Sequence, residues 1–182
     1  KEKIEAIVTK VYRGASVDRI SARLNVTKGS FYHHHDKKLD LIAACFDRSF
    51  GVLRRALASA EAAPGSGWER TAALACSLVR YQLSDEGPLL RTTATSALPD
   101  AEHRARVRRT MHALTERLAS LIVDGVVDGS IRPLDPAIAA QVTSAAINAA
   151  AELRRWVPGV AADNAAALYV RPAFEGVLCP GA

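Results

Sequence analysis

Residues 16–38, SVDRISARLNVTKGSFYHHHDKK, limit what this chain can fold into more than any other stretch. Ser16 is a good N-cap for a short helix over 17–24, with Asp18 in the first turn, where the helix dipole favours a negative charge. Val17, Ile20 and Leu24 form its inner stripe. Asn25-Val26 makes a tight turn. Thr27 caps a second short helix over 28–34. Ahead of both, Ile4, Ile7, Val8 and Val11 recur at i, i+3, i+4 and i+7, the face of an amphipathic helix that Gly14 ends. Two short helices around a tight turn, preceded by a third, are the layout of a helix-turn-helix.

The rest of the chain reads as helix too. Asp36 can cap a longer helix over about 37–60, with apolar residues at Leu39, Ile42, Phe46, Phe50, Leu53 and Leu57. Residues 63–67, APGSG, look like a linker between a head and a body. Further helices are expected near 68–84, 88–97, 101–128, 136–156 and 164–178. The breaks fall at 85–88, 98–100, 128–130 with Pro133, and 157–159. Asp100, Asp135 and Asp163 stand where N-caps are wanted, and Pro172 should kink the last helix. No segment sustains period-two alternation, and no internal repeat appears. The expected fold is all-α, with an N-terminal three-helix helix-turn-helix head over 1–50 and a helical body over 51–182.

Charge is uneven along the chain. Residues 1–50 hold ten Lys/Arg against six Asp/Glu, and the remainder holds fourteen against thirteen. The positive excess lies beside the helix-turn-helix, as a surface that meets a polyanion requires. Cys45, Cys76 and Cys179 form no CxxC pair and read as scattered cytosolic thiols. No signal peptide and no membrane-length apolar run is found, which points to the cytoplasm. The chain starts at Lys1 without methionine, so a leading segment is expected.

A recognition helix presents its first turns to base edges and cannot carry bulk where it approaches DNA. Lys28 and Ser30 lie at the start of the second short helix, and Gly29 leaves room for close approach. Tyr32 and His33 follow, in reach of a phosphate, a thymine methyl or a base edge. Phe31 points about 100° away from Tyr32 and packs inward on Ile20 and Leu24. Ser16 and Lys38 open two other helices, whose N-termini favour phosphate. The run VTKGSFYH over 26–33, with ASVDRI over 15–20 before it and Lys38 after it, resembles the TetR family of transcriptional regulators. The match covers residues 4–50; the rest is similar in helix number and punctuation. The resemblance implies an all-helical homodimer, a fourth helix linking head to body, and a body that binds a small effector and so releases a palindromic operator. It implies DNA contacts at Ser16, Thr27, Lys28, Ser30, Tyr32, His33 and Lys38, and Gly29, which leaves room for close approach, completes the expected DNA-facing set.

His33, His34 and His35 invite a metal reading. Consecutive helical residues diverge by about 100°, so three adjacent imidazoles cannot converge on one ion, and no metal or cofactor is expected. No GxSxG, HExxH, P-loop or dinucleotide fingerprint is present, and Asp85-Glu86 beside Gly87-Pro88 reads as a solvated turn.

In the body, Val107, Met111, Leu114, Leu118, Leu121 and Gly125 form one stripe at helical spacing, and Leu74, Leu78 and Tyr81 another. Trp68, Leu78, Tyr81, Arg91, Met111 and His112 are the candidates for contact with a largely apolar effector. Ile138, Val142, Ala145, Ala149, Leu153 and Trp156 line one face of the penultimate helix. Of these, Val142, Ala145, Ala149, Leu153 and Trp156 are the candidate dimer interface, since small residues allow close helix approach. Three other readings stay open: an effector-independent DNA binder, a helical adaptor and a small helical enzyme.

Overall fold

A computed structural model describes residues 38–86, 88–89, 95, 98 and 101–174. The head contacts expected at Ser16, Thr27, Lys28, Gly29, Ser30, Tyr32 and His33 lie outside the described residues, as do His34, His35, Arg91 and Cys179. Every element among the described residues is helical. The chain divides into two compact units, Lys1–Phe50 with Leu90–Thr110, and Gly51–Leu89 with Met111–Ala182.

Helix α1 spans Lys38–Ala62. Its buried positions Phe46, Phe50, Leu57 and Ala60 repeat at helical spacing. In the first unit, the Phe46 and Phe50 rings stack with centroids 5.9 Å apart. Leu98 and Val107 are buried in the same unit, and Arg104 Nη1 donates to the Leu98 carbonyl at 2.7 Å. Of the helix expected over 88–97, Pro88 and Leu89 are non-helical. The Leu98 N–H donates to the Thr95 carbonyl at 3.0 Å, closing a turn.

In the second unit, α2 spans Gly67–Leu83 and forms the centre of the packing. The linker expected over 63–67 is instead a tied corner inside this unit. Gly65 takes a φ of 111°, which a side chain would resist. Ser66 then caps α2 in a reciprocal box. The Glu69 N–H donates to Ser66 Oγ at 3.2 Å, and the Ser66 N–H donates to Glu69 Oε2 at 2.7 Å. The Ser/Gly-rich composition that suggests a loose linker is also what a glycine turn followed by a serine cap requires.

Helix α3 spans Ala101–Val127. Its stripe at Leu114, Leu118, Leu121 and Ile122 is buried in the second unit. Helix α4, Pro136–Ala149, opens as expected. Asp135 accepts the Ile138 N–H at 2.9 Å, and Pro136 takes the first turn, where its missing N–H costs nothing. The single helix expected over 136–156 is interrupted by a 3₁₀ turn, Ala150–Glu152, before a short α5, Leu153–Trp156. Alanine and glutamate are good helix formers. The interruption therefore has a tertiary origin, for the turn packs on α2 and Ala150 is fully buried. The last helix expected over 164–178 appears as a π-helical turn, Ala166–Val170, followed by α6, Arg171–Phe174. Pro172 has no N–H to give the α-helical ladder, and widening the preceding turn is one way a chain absorbs that loss. The Tyr169 hydroxyl donates to the Ala146 carbonyl at 2.6 Å and ties this segment to α4.

Candidate functional site

Lys38 is the first residue of α1, at a helix N-terminus as the sequence suggested. The other proposed DNA contacts precede it in the chain.

The candidate effector residues fall in different settings. Leu78 is buried, while Trp68, Tyr81 and Met111 are half-buried. Thirteen residues of helix separate Trp68 from Tyr81, about 20 Å at 1.5 Å per residue, so they mark opposite ends of α2. Trp68 belongs with Phe174, whose ring centroid lies 6.4 Å from its own. His112 stands on the exposed face of α3, with Nδ1 3.3 Å from Glu116 Oε1 and 75% of its side chain exposed.

Two polar residues on the buried face of α2 escaped the sequence reading. Gln82 is only 5% exposed. Its Oε1 accepts the Leu89 N–H at 2.8 Å, while its Nε2 donates to the Ile147 carbonyl and to Asn148 Oδ1, each at 3.4 Å. One amide thereby links α2, the segment after it and the end of α4. Thr71 is 3% exposed and its Oγ1 has no hydrogen-bond partner. The signal was available: residues 71, 74, 78 and 82 share one helical stripe, and a threonine and a glutamine interrupt it.

At the other end of α2, Gly67 and Gly125 let two helix backbones meet. The Gly67 N–H donates to Asp128 Oδ2 at 2.7 Å, and the Trp68 N–H to Ser130 Oγ at 3.0 Å. Arg70 Nη2 lies 2.9 Å from Asp124 Oδ2. The Ser130 hydroxyl, then the Gly67 and Ser130 N–H groups, hold the Asp128 carboxyl below its ordinary pKa.

On α4 and α5 the candidate interface residues Val142, Ala145, Ala149 and Trp156 are exposed, and Leu153 is half-buried. Ile138, Val142 and Trp156 are 66%, 60% and 73% exposed. The opposite face, with Ala140, Thr143, Ile147 and Ala150, is buried.

Neither of the two described cysteines offers a ready nucleophile. Burial pushes the Cys45 thiol up to about 11 and raises that of Cys76, so neither is a thiolate near neutral pH. Among the described residues no group of His, Cys, Asp or Glu side chains is placed to hold a metal ion. No helix among them is long and apolar enough to cross a membrane.

Comparison with known proteins accounts for both halves of the chain. Residues 4–45 match the model for bacterial regulatory proteins of the tetR family, and residues 64–156 match a tetracyclin repressor-like C-terminal domain. The chain belongs to the TetR family of bacterial regulatory proteins. A 39-residue stretch is 49% identical to the transposon Tn10 TetC protein of Escherichia coli, covering 21% of this chain and 20% of that relative. Among solved structures, the TetR family transcriptional regulator PfmR from Thermus thermophilus is 20% identical. It superposes with a TM-score of 0.75 over 94% of each chain. AibR in complex with isovaleryl coenzyme A and operator DNA is 20% identical, with a TM-score of 0.74 over 93% of this chain and 92% of that one. At such identities the structural likeness speaks for the fold.

Proposed function

We propose that this protein is a cytoplasmic, homodimeric transcriptional repressor, without catalytic activity, that leaves a palindromic operator when a small effector binds its body. The match of residues 4–45 to the tetR regulatory head carries this reading, since it covers the helix-turn-helix with its lysine, glycine and tyrosine. In this reading residues 1–50 are the DNA-binding domain and 51–182 the effector and dimerisation domain. Ser16, Thr27, Lys28, Gly29, Ser30, Tyr32, His33 and Lys38 meet DNA. Leu78, Tyr81 and Met111 receive a largely apolar effector, and the buried Thr71 hydroxyl supplies a polar contact. AibR was crystallised with an acyl coenzyme A and its operator, so an acyl thioester is the first effector to try. The exposed apolar face of α4 and α5 pairs with its symmetry mate.

The mechanism is a population shift. Two heads occupy successive major grooves, about 34–36 Å apart along the duplex. An effector that binds better to a conformation with another head spacing draws the protein off DNA. The test is selection of bound fragments from genomic DNA, followed by gel shift with Lys28→Ala and Tyr32→Ala. Both variants should stay dimeric and lose the selected fragments; full affinity in both would overturn the reading.

A further inference from the structure

The division into compact units redistributes the charge. The first unit, Lys1–Phe50 with Leu90–Thr110, holds 15 Lys/Arg against 8 Asp/Glu, a net of +7. The second unit holds 9 against 11, a net of −2. All of the chain's positive excess therefore lies in the unit that contains the helix-turn-helix segment. Part of it comes from far along the sequence: residues 101–112, AEHRARVRRTMH, carry four arginines and one glutamate at the start of α3.

These arginines do different jobs. Arg104 is half-buried and donates to the Leu98 carbonyl, so it fastens the turn that precedes the helix. Arg106, Arg108 and Arg109 are exposed, and no carboxylate among the described residues pairs with them. At 100° per residue they span an arc of about 160° on the side opposite the buried Val107. Three unpaired guanidinium groups within one helical turn repel one another. Such an arrangement costs stability, and a structural helix face gains nothing from it. A phosphate backbone offsets that repulsion, because it presents a negative charge every few ångströms and releases counterions when neutralised.

We propose that Arg106, Arg108 and Arg109 form a second phosphate-contacting surface for duplex DNA, supplementing the helix-turn-helix and acting without regard to base sequence. This rests on the DNA-binding reading above. Phosphate contacts fix position and raise association rates but carry no sequence information. The three arginines therefore act on operator and random DNA alike.

The experiment measures fluorescence anisotropy of the full chain on two duplexes, a genomic fragment selected by the wild type and a random duplex of equal length, across a salt series. The variants are the triple Arg→Gln and the triple Arg→Lys, with thermal melts to show that each folds. Each lost phosphate contact lowers the slope of log K against log salt by about 0.9. The glutamine variant should flatten the slope by about one to three per protomer and weaken both duplexes by a similar factor, roughly tenfold at low salt. The lysine variant should keep most of the wild-type slope. Unchanged slope and affinity in the glutamine variant, with the wild type binding normally, would overturn this surface and leave the DNA-binding reading standing. A wild type that selects no genomic fragment and does not bind the random duplex would overturn both.

Discussion

Gly67, the first residue of α2, lies so close to Gly125 of α3 that a Cβ on Gly67 would overlap the Gly125 backbone nitrogen and Cα. Both positions are buried. Neither glycine has a positive φ, so a close approach between backbones, and not a turn, selects the residue. Around this contact the α2 N-terminus finds its hydrogen-bond partners: Ser66, Asp128 and Ser130 accept from the Glu69, Gly67 and Trp68 N–H groups.

Gly67→Ala should therefore be costly. The obstacle is backbone, which moves only if a helix moves, and overpacking of this kind costs about 1–3 kcal/mol. For a chain of this size that lowers Tm by roughly 2–12 °C. Gly125→Ala should cost less, because its Cβ would first meet the tip of the Ile131 side chain at 2.5 Å. Thermal melts at equal protein concentration check the order; a Gly125 variant less stable than the Gly67 variant would contradict it.

The same corner, together with the Glu61–Arg117 ion pair, predicts a pH dependence. The carboxyls of Glu69, Glu61 and Asp128 are all held below their ordinary values. The causes are the Ser66 backbone and hydroxyl for Glu69, Arg117 for Glu61, and the Ser130 hydroxyl ahead of the N–H groups for Asp128. A carboxyl with a depressed folded pKa binds its proton more weakly when folded, so its stabilisation is fully present above the unfolded value. It fades as pH falls from that value, near 4 for these groups, through the lower folded one. Denaturant midpoints should be flat near neutrality and fall below about pH 4. Asp128→Ala should lie below the wild type at pH 7 and approach it in acid. A difference of constant size from pH 7 to pH 2.5 would count against this assignment.

Gln82 supplies a test of the buried face. Gln82→Leu keeps the volume but strands the Leu89 N–H and removes the donor to Ile147 and Asn148. An unsatisfied buried donor costs about 1–3 kcal/mol. The loss should appear locally, as faster amide exchange at Leu89, as well as in the global melt. Unchanged exchange at Leu89 would show that the amide does not hold this segment.

These residues also show what the sequence could and could not disclose. Asp135-Pro136 announces α4 because a carboxylate cap and a first-turn proline act through local backbone chemistry alone. Ser66 had the same legibility, since Glu69 three residues on completes a capping box, yet the glycines around it favoured a linker reading. Gly67 was beyond reach for a different reason. Its role depends on Gly125, 58 positions away, and no local rule couples the two. The 3₁₀ turn at Ala150–Glu152 is hidden likewise, because alanine and glutamate favour an α-helix and only packing against α2 dictates otherwise. At the arginines of α3 the composition was visible from the start. Their membership of the basic unit was not, since it depends on which distant residues the fold gathers together.

The last prediction concerns the proposed dimer face. Ile138, Val142, Ala145, Ala149 and Trp156 share the exposed side of α4 and α5, while Thr143 and Ile147 close the inner side. Val142→Glu places a carboxylate where the protomer alone tolerates it, because that side chain is 60% exposed. In a two-fold interface the change occurs twice, and the buried like charges cost about 3 kcal/mol, roughly a hundredfold in dimer Kd. Analytical ultracentrifugation should show monomers with unchanged helicity, and binding to a two-half-site operator should weaken in parallel. Val123→Glu provides the comparison. Val123 is a 41%-exposed valine on α3, off the α4–α5 face. It should leave the assembly dimeric. If Val142→Glu stays dimeric at nanomolar concentration, or if Val123→Glu alone dissociates it, the chain pairs through another surface.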